Sequence, residues 1–301
     1  MTTINDHLQI LDGVELAPFT TFGIGGPARL FTRARSADDL AAAVTWAERS
    51  RTPWFVLGLG ANILVGDGGF DGLVIKNEAC ASSFVDDLLT AESGAVVADL
   101  IDECTGRELS GLEHFVGIPS TVGGALWQNL HFLAPDREST LFIGEILEAA
   151  TVLSGGEIRR VERDYFAFGY DYSTLHETRD VVLDASFRLT PASRERIEAQ
   201  ARENQAWRDR SHPEGAAHNS AGSIFRKIEG VGAGRLIDQA GLKGCVIGGA
   251  EVSTKHANYI VNRGGASAED VRELIAHVQQ TVEAATGHRL VPEISLVGEF
   301  G

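Results

Sequence analysis

The chain has 301 residues, 44% of them apolar and 23% charged, a globular composition with length for two or three domains and none of the bias of collagen-like, disordered or disulfide-scaffold sequences. Its formal charge of −16 has the wrong sign for gripping phosphate backbones, which sets nucleic acid aside as a partner. The excess is uneven: residues 1–187 carry 12 basic and 28 acidic side chains and residues 188–301 carry 14 of each, so side chains that hold an anion belong in the C-terminal part.

In chain order, the opening MTTINDHLQI has neither a basic nor an apolar leader segment, and no apolar run approaches the roughly 18 residues that span a bilayer. The expectation is a cytoplasmic protein with no membrane partner. A helix is predicted over 37–50, where Ser36 can cap, Asp39 follows three residues on, and Leu40, Val44 and Ala47 share a face. LFTRA (30–34) and WFVLG (54–58) bracket it as a βαβ unit, with another strand at 73–76 after a glycine-rich turn. From about 79 to 190 short β-prone runs dominate, interrupted by a helical stretch near 97–106 and a glycine-rich segment at 117–124. A polar helix at 193–209 then marks a boundary. The clearest helix follows, with Ser267 and Asp270 as a capping box, an apolar stripe of Val271, Leu274, Ile275, Val278 and Val282, and Gly287 as its stop. PEISLV should be a strand after Pro292, with Glu293 and Ser295 on one face and Ile294 and Leu296 on the other. The domains expected are 1–78, 79–192 and 193–301, an α+β architecture. Cys80, Cys104 and Cys245 form neither a disulfide framework nor a zinc motif, and no metal is expected.

Four segments could carry chemistry. In VLGLGANILVGDGGFDGLVI (56–75), Gly58 and Gly60 let successive N–H groups converge on an oxyanion, and Asn62 can add a donor; a plain tight turn fits equally. The segment lacks the third glycine and following helix of a Rossmann fingerprint and the GK[ST] of a Walker loop. GLEHFVGIPSTVGGALWQN (111–129) sets Gly117, Gly123 and Gly124 among Ser120 and Thr121, either as structural turns or as a second cradle. Two such loops without lysine suit a dinucleotide held by main chain. HNSAGSIFRK (218–227) presents Ser223 beside Ile224 and Phe225, with Arg226 beyond; without a G-x-S-x-G elbow, no Ser-His-Asp triad can be assembled with His212, His218 or His256. AGLKGCVIGGAEVSTKHANYIVN (240–262) offers Lys243, Lys255, His256 and Asn258, a donor set for an anionic sugar nucleotide or simply a solvated hairpin.

TTFGIGGPA (20–28), GLGAN, GIPSTVGGA, FGY (168–170), AGSIF, AGLKG, KHANYIVN and PEISLVG (292–298), in this order, resemble the UDP-N-acetylenolpyruvoylglucosamine reductase family across nearly the whole chain. The resemblance implies a vanillyl-alcohol-oxidase/PCMH-type FAD-binding fold in two subdomains plus a C-terminal α+β substrate domain. It implies noncovalent FAD, NADPH as reductant and a UDP-sugar substrate, with no oligomer required. The FAD pyrophosphate would meet Gly58, Leu59, Gly60, Ala61 and Asn62, with Thr21, Ile118, Ser120, Thr121, Gly123 and Gly124 completing the cradle.

By the same resemblance Ser223 is the proton donor to the substrate, and Glu293 polarises the enolpyruvyl carboxylate as a carboxylic acid or through water, which requires the acid form to persist near neutral pH. Tyr170 belongs to the site, as do Gln128, Asn129, Arg210, Lys255, His256 and Asn258 on the substrate side. Two departures stand out. Asp171 occupies the place of the family's usual arginine, and Arg226, then Arg210 or Arg179, is expected to supply the missing cation. LHFLAPDREST (130–140) replaces a shorter glycine- and tyrosine-containing segment. Only 53 residues separate Tyr170 from Ser223, which resembles the family's second type, without the tyrosine-bearing loop. The competing readings are an FAD-dependent alcohol oxidase of the same fold and a flavin-binding homologue that has lost catalysis.

Overall fold

The computed structural model describes residues 2–4, 8–134, 139–213, 219–228 and 230–301. The chain forms two compact units, one from residues 1–11, 32–58 and 75–208, the other from 12–31, 59–74 and 209–301. It passes between them inside three strands, Gln9–Glu15, Pro27–Ala34 and Phe70–Asn77, after strand Trp54–Leu57 and within helix Arg194–Ser211. Among the described residues no helix is long and apolar enough to cross a membrane, and no group of three or more His, Cys, Asp or Glu side chains could hold a metal ion.

In the first unit, helix Ala37–Arg49 starts where the sequence places its cap: Ser36 Oγ accepts from Asp39 N at 3.1 Å, and the Asp39 carboxylate accepts from Arg35 N at 3.0 Å. Leu40, Ala43, Val44 and Ala47 are buried, as the 3.6-residue period requires. The strands on either side of the helix are Pro27–Ala34 and Trp54–Leu57, but they are not sheet neighbours. The order is Thr2–Thr3, Gln9–Glu15, Pro27–Ala34, Phe70–Asn77, Trp54–Leu57, so the expected βαβ unit carries an inserted strand. A helix about 10 Å wide spans two strand spacings of about 4.8 Å, which leaves one slot to fill.

A second sheet of this unit is antiparallel throughout, in the order Glu157–Glu162, Leu147–Ser154, Val181–Arg188, Leu88–Glu92, Ser82–Val85. Helix Val97–Gly106 buries Val97, Leu100, Ile101 and Cys104. The glycine-rich segment after residue 117 is not loop throughout, because helix Val122–Gln128 begins at Thr121, whose Oγ1 accepts from Gly124 N. Helix Arg194–Ser211 belongs with this unit through residue 208, and its Trp207 meets Phe132 edge-on at 5.7 Å. Of the segment 130–140, His131–Leu133 and Thr140–Phe142 pair as antiparallel strands, and residues 135–138 lie outside the described residues.

The second unit packs Phe22, Ile24 and Leu64 with Ile224, Phe225, Leu236, Ile237 and one face of helix Ala268–Thr286. All five residues of the predicted stripe on that helix are buried. Ser267 and Asp270 form the capping box, and the Asp67 carboxylate adds a cap from 200 residues away, accepting from Ala268 N at 2.8 Å and Glu269 N at 3.1 Å. Negative charge there is favoured by the helix dipole; hydrogen bonds from Gly249 N and Ser267 N hold the Asp270 carboxyl below its ordinary pKa. Gly287 ends the helix at φ +73°. The final strand is shorter than expected, Ser295–Val297, paired in parallel with Ile63–Val65. Ile294 and Val297 are buried while Leu296 is 54% exposed. The alternation resets because the chain changes partner: Glu293 N bonds Ile224 O, whereas Ser295 N bonds Asn62 O.

Cys104 illustrates the packing of the first core. It is 2% exposed, and burial, with smaller contributions from Glu103 and Glu113, pushes its thiol up to about 12. Cys80 is exposed. At pH 8 only about one Cys104 in ten thousand would be thiolate. A disulfide-exchange reagent should therefore titrate Cys80 in the folded protein and reach Cys104 only on denaturation; rapid labelling of Cys104 under native conditions would contradict this packing.

Candidate active site

In the second unit the expected site residues converge through main chain. Thr21 N donates to Gly60 O at 3.1 Å, and Thr21 Oγ1 lies 3.2 Å from the Gly60 carbonyl and 2.7 Å from the Ser220 carbonyl. One hydroxyl thus fastens the 58–62 loop to the segment that carries Ser223. Gly60 sits at φ +64°, and a Cβ there would fall 2.5 Å from Phe19 O and 2.8 Å from Thr20 Cα. Only glycine fits such a left-handed residue pressed against another backbone. Asn62 Nδ2 reaches Glu293 O at 3.5 Å. Leu59 and Ala61 are half-buried.

The Ser223 segment is threaded between two others. Ser223 bridges Tyr259 and Phe225 bridges Pro292; Ile224 N donates to Asn258 O at 2.9 Å, Glu293 N to Ile224 O at 2.8 Å and Arg226 N to Val291 O at 2.9 Å. These bonds run the segment of Ser223 alongside that of Glu293, with Glu293 opposite Ile224; Ser223 and Glu293 are half-buried and Ile224 and Phe225 buried. Asn258 is what fixes the pairing: its amide accepts from Phe225 N at 3.0 Å and donates to Phe225 O at 2.9 Å. That engagement occupies the amide that the sequence offers to the substrate. His256 Nδ1 accepts from Asn258 N at 3.2 Å, which assigns the proton of a neutral ring to Nε2. Its ring stacks on His212 at 5.5 Å and meets Tyr259 at 5.0 Å. Lys255 Nζ donates to Asp209 O, and Arg210 and Arg226 are exposed. His218 lies outside the described residues.

The first unit supplies the other glycine loop. A Cβ on Gly58 would lie 2.8 Å from Thr121 Oγ1, so the two glycine-rich segments meet there. Gly123 N is bound to Ser93 O at 2.7 Å and Gly124 N to Thr121 Oγ1 at 3.3 Å. What these two glycines contribute is close approach: a Cβ on Gly123 would meet Ser93 O at 3.2 Å. Ser120 Oγ donates to Thr121 O at 3.0 Å, and Ile118, half-buried, donates its N–H to Phe115 O. One residue escaped the sequence reading: Lys76 Nζ donates to the Gly58 carbonyl, and burial lowers its pKa. The signal was a lysine at the end of the buried run Leu73, Val74, Ile75. The loop thus has a lysine behind it, although none lies within it.

Beyond helix Val122–Gln128, Asn129 adopts φ +49°; its side chain donates to Gly169 O at 2.9 Å and accepts from Gly144 N at 3.2 Å. Gln128 beside it is half-buried. Tyr170 is 45% exposed, with its ring 4.4 Å from that of His131, and Asp171 is buried at φ +50°. Arg179, a candidate cation, lies over the Trp54 ring at 5.5 Å.

Glycine-lined loops backed by main-chain bonds and hydroxyls are a fitting support for a dinucleotide cofactor, and residues 28–162 match the family model of an FAD binding domain. The chain has the flavin-binding fold of that model and is an FAD-dependent oxidoreductase. Residues 213–297 match the model for the C-terminal domain of UDP-N-acetylenolpyruvoylglucosamine reductase. Reductases of that name from Listeria innocua and Caldicellulosiruptor saccharolyticus are 36% and 38% identical over 97% and 98% of this chain, and 96% and 94% of their own. The crystal structure of the Thermus caldophilus enzyme of that name superimposes with a TM-score of 0.79 at 31% identity, over 97% of this chain and 99% of that one. The chain belongs to the UDP-N-acetylenolpyruvoylglucosamine reductase family.

A substitution of Gly60 tests the cradle. Gly60→Ala places a methyl group against the Phe19 carbonyl at a left-handed φ, costing about 1–3 kcal/mol. The variant is expected to melt earlier and to retain less flavin, read from the absorbance of the purified protein near 450 nm; wild-type flavin content would mean that the loop does not bear on the cofactor.

Proposed function

We propose that this protein reduces the enolpyruvyl group of UDP-N-acetylglucosamine enolpyruvate to UDP-N-acetylmuramate, a peptidoglycan precursor, with NADPH as reductant. The observation that supports the reading is the main-chain stitching that runs the segment of Ser223 alongside the segment of Glu293 and ties both segments to the 58–62 loop through Thr21 and Asn62. FAD, when bound, supplies the hydride. The loops at 58–62 and 118–124 would hold it.

The residues of the chain handle charge and proton. Addition of hydride at the terminal methylene carbon gives the neighbouring carbon carbanion character beside a carboxylate, so a proton must arrive there and the growing charge must be offset. Ser223 gives its hydroxyl proton to that carbon; a carbanion is basic enough to take it from a positioned hydroxyl, and solvent restores the serine. Glu293, on the apposed main chain, polarises the substrate carboxylate as the neutral acid or through water. Ile224 and Phe225, next in sequence to Ser223, are buried and anchor its segment. Lys255 and His256 hold the anionic nucleotide end, in keeping with the balanced charge of the C-terminal part.

Anaerobic spectroscopy separates the two halves of the reaction. NADPH should bleach the flavin band of the wild-type protein and the sugar nucleotide should restore it. Ser223→Ala should still bleach with NADPH but regain colour roughly 10²- to 10⁴-fold more slowly. Reoxidation of the variant at the wild-type rate would remove Ser223 from the mechanism, and a wild-type flavin that the sugar nucleotide leaves reduced would remove the reading.

A further inference from the structure

Two consecutive residues at the end of strand Phe70–Asn77 each reach a glycine of the two glycine-rich segments. Lys76 Nζ donates to the Gly58 carbonyl. The Asn77 amide, buried, donates to Ser93 Oγ at 2.8 Å and accepts from Ala79 N at 3.1 Å, and Ser93 O in turn accepts from Gly123 N at 2.7 Å. The segments meet where a Cβ on Gly58 would lie 2.8 Å from Thr121 Oγ1. One strand end therefore fastens both. Lys76 is half-buried and follows the buried run Leu73, Val74 and Ile75. Burying an ammonium is costly, and burial lowers its pKa; an apolar side chain would fill the same space without that cost, so packing does not explain a lysine here.

We propose that Lys76 is a positioning residue of the flavin site, fixing the peptide that follows Gly58 so that its N–H is presented to the pyrophosphate of FAD and lending that peptide positive charge. The inference rests on the assignment above of the 58–62 loop to the cofactor, and it adds a residue outside those carried over from the family. A trans peptide is planar, and its carbonyl and N–H point to opposite sides. With the Gly58 carbonyl held by Lys76, the N–H of the same peptide, that of Leu59, faces away from the ammonium. A cation bonded to the carbonyl polarises the group, which makes the N–H at its other end a stronger donor to an anion. The acceptor that Lys76 holds is a neutral carbonyl, and the carboxylate two residues on, Glu78, is paired with Arg33. Arg33 and Lys76 against Glu78 leave one positive charge, within a stretch, residues 1–187, that carries 12 basic and 28 acidic side chains. Loops that contain no lysine of their own thus receive their counter-charge through a peptide, from the strand that anchors them.

The test follows FAD release on serial dilution of the holoenzyme, read from the recovery of flavin fluorescence, together with the phosphorus NMR resonances of the bound pyrophosphate. Lys76→Met keeps the bulk and removes donor and charge; its dissociation constant for FAD should rise roughly 10- to 100-fold, and at saturating FAD its pyrophosphate resonances should be displaced from their wild-type positions. Lys76→Arg, which restores donor and charge, should recover most of the affinity and bring the resonances back. Lys76→Gln, with a donor but no charge, is the substitute should the methionine variant fail to fold, and the same direction is expected of it. A merely structural lysine would lower the melting temperature of these variants and leave the resonances of the bound cofactor in place. Wild-type affinity without the charge, unmoved resonances, or a defect that Lys76→Arg leaves uncorrected overturns the proposal. Gly60→Ala separates the two readings: if it binds FAD as the wild type does, the assignment of the loop falls and this one with it, whereas flavin lost from Gly60→Ala and retained by Lys76→Met removes the lysine alone.

Discussion

The second unit depends on main-chain hydrogen bonds between stretches that are remote in sequence. Glu293 N to Ile224 O, Ser295 N to Asn62 O and Thr21 N to Gly60 O are each single bonds of ordinary length, worth about 1 kcal/mol net apiece. Their importance is positional: they make the 58–62 loop, the serine segment and the glutamate segment parts of one frame, and Asn258 braces that frame by using both ends of its amide on Phe225. A hydroxyl and a carboxyl that act together, as proposed for Ser223 and Glu293, must hold their separation closely, and backbone is the stiffest material available for the purpose.

Much of this was legible in the sequence wherever a local rule governs. Ser36 with Asp39 and Ser267 with Asp270 announce their helices because a cap is satisfied within four residues, and the stripe from Val271 to Val282 faces a core because helical periodicity leaves it no other course. The short helix Val122–Gln128 was obscured: its first turn contains two glycines, poor helix formers on their own account, and the cap from Thr121 with packing against Ser93 outweighs them. The phase of the last strand could not be read because it depends on a change of partner from Ile224 to Asn62.

The site shows the same division. Glycine positions with a tight approach, Gly58 and Gly60, follow from the types of residue in the loop, whereas Lys76 and the pairing of His131 with Asp171 depend on which strands and turns become neighbours. Asn258 is a further case: as a residue type it is a donor, but the fold directs it to the protein's own main chain.

The composition of the second unit bears on how the protein could be inherited or rebuilt. Its core takes Phe22, Ile24 and Leu64 from the early part of the chain, its longest helix is capped by Asp67, and three of the five crossings of the chain into or out of it fall in mid-strand. The stretch 213–297, though it matches a domain model by itself, is therefore not a cassette. A recombination event that exchanged it with a distant relative would have to bring along matching residues from 12–31 and 59–74, so the two ends of the gene are bound to evolve as one piece.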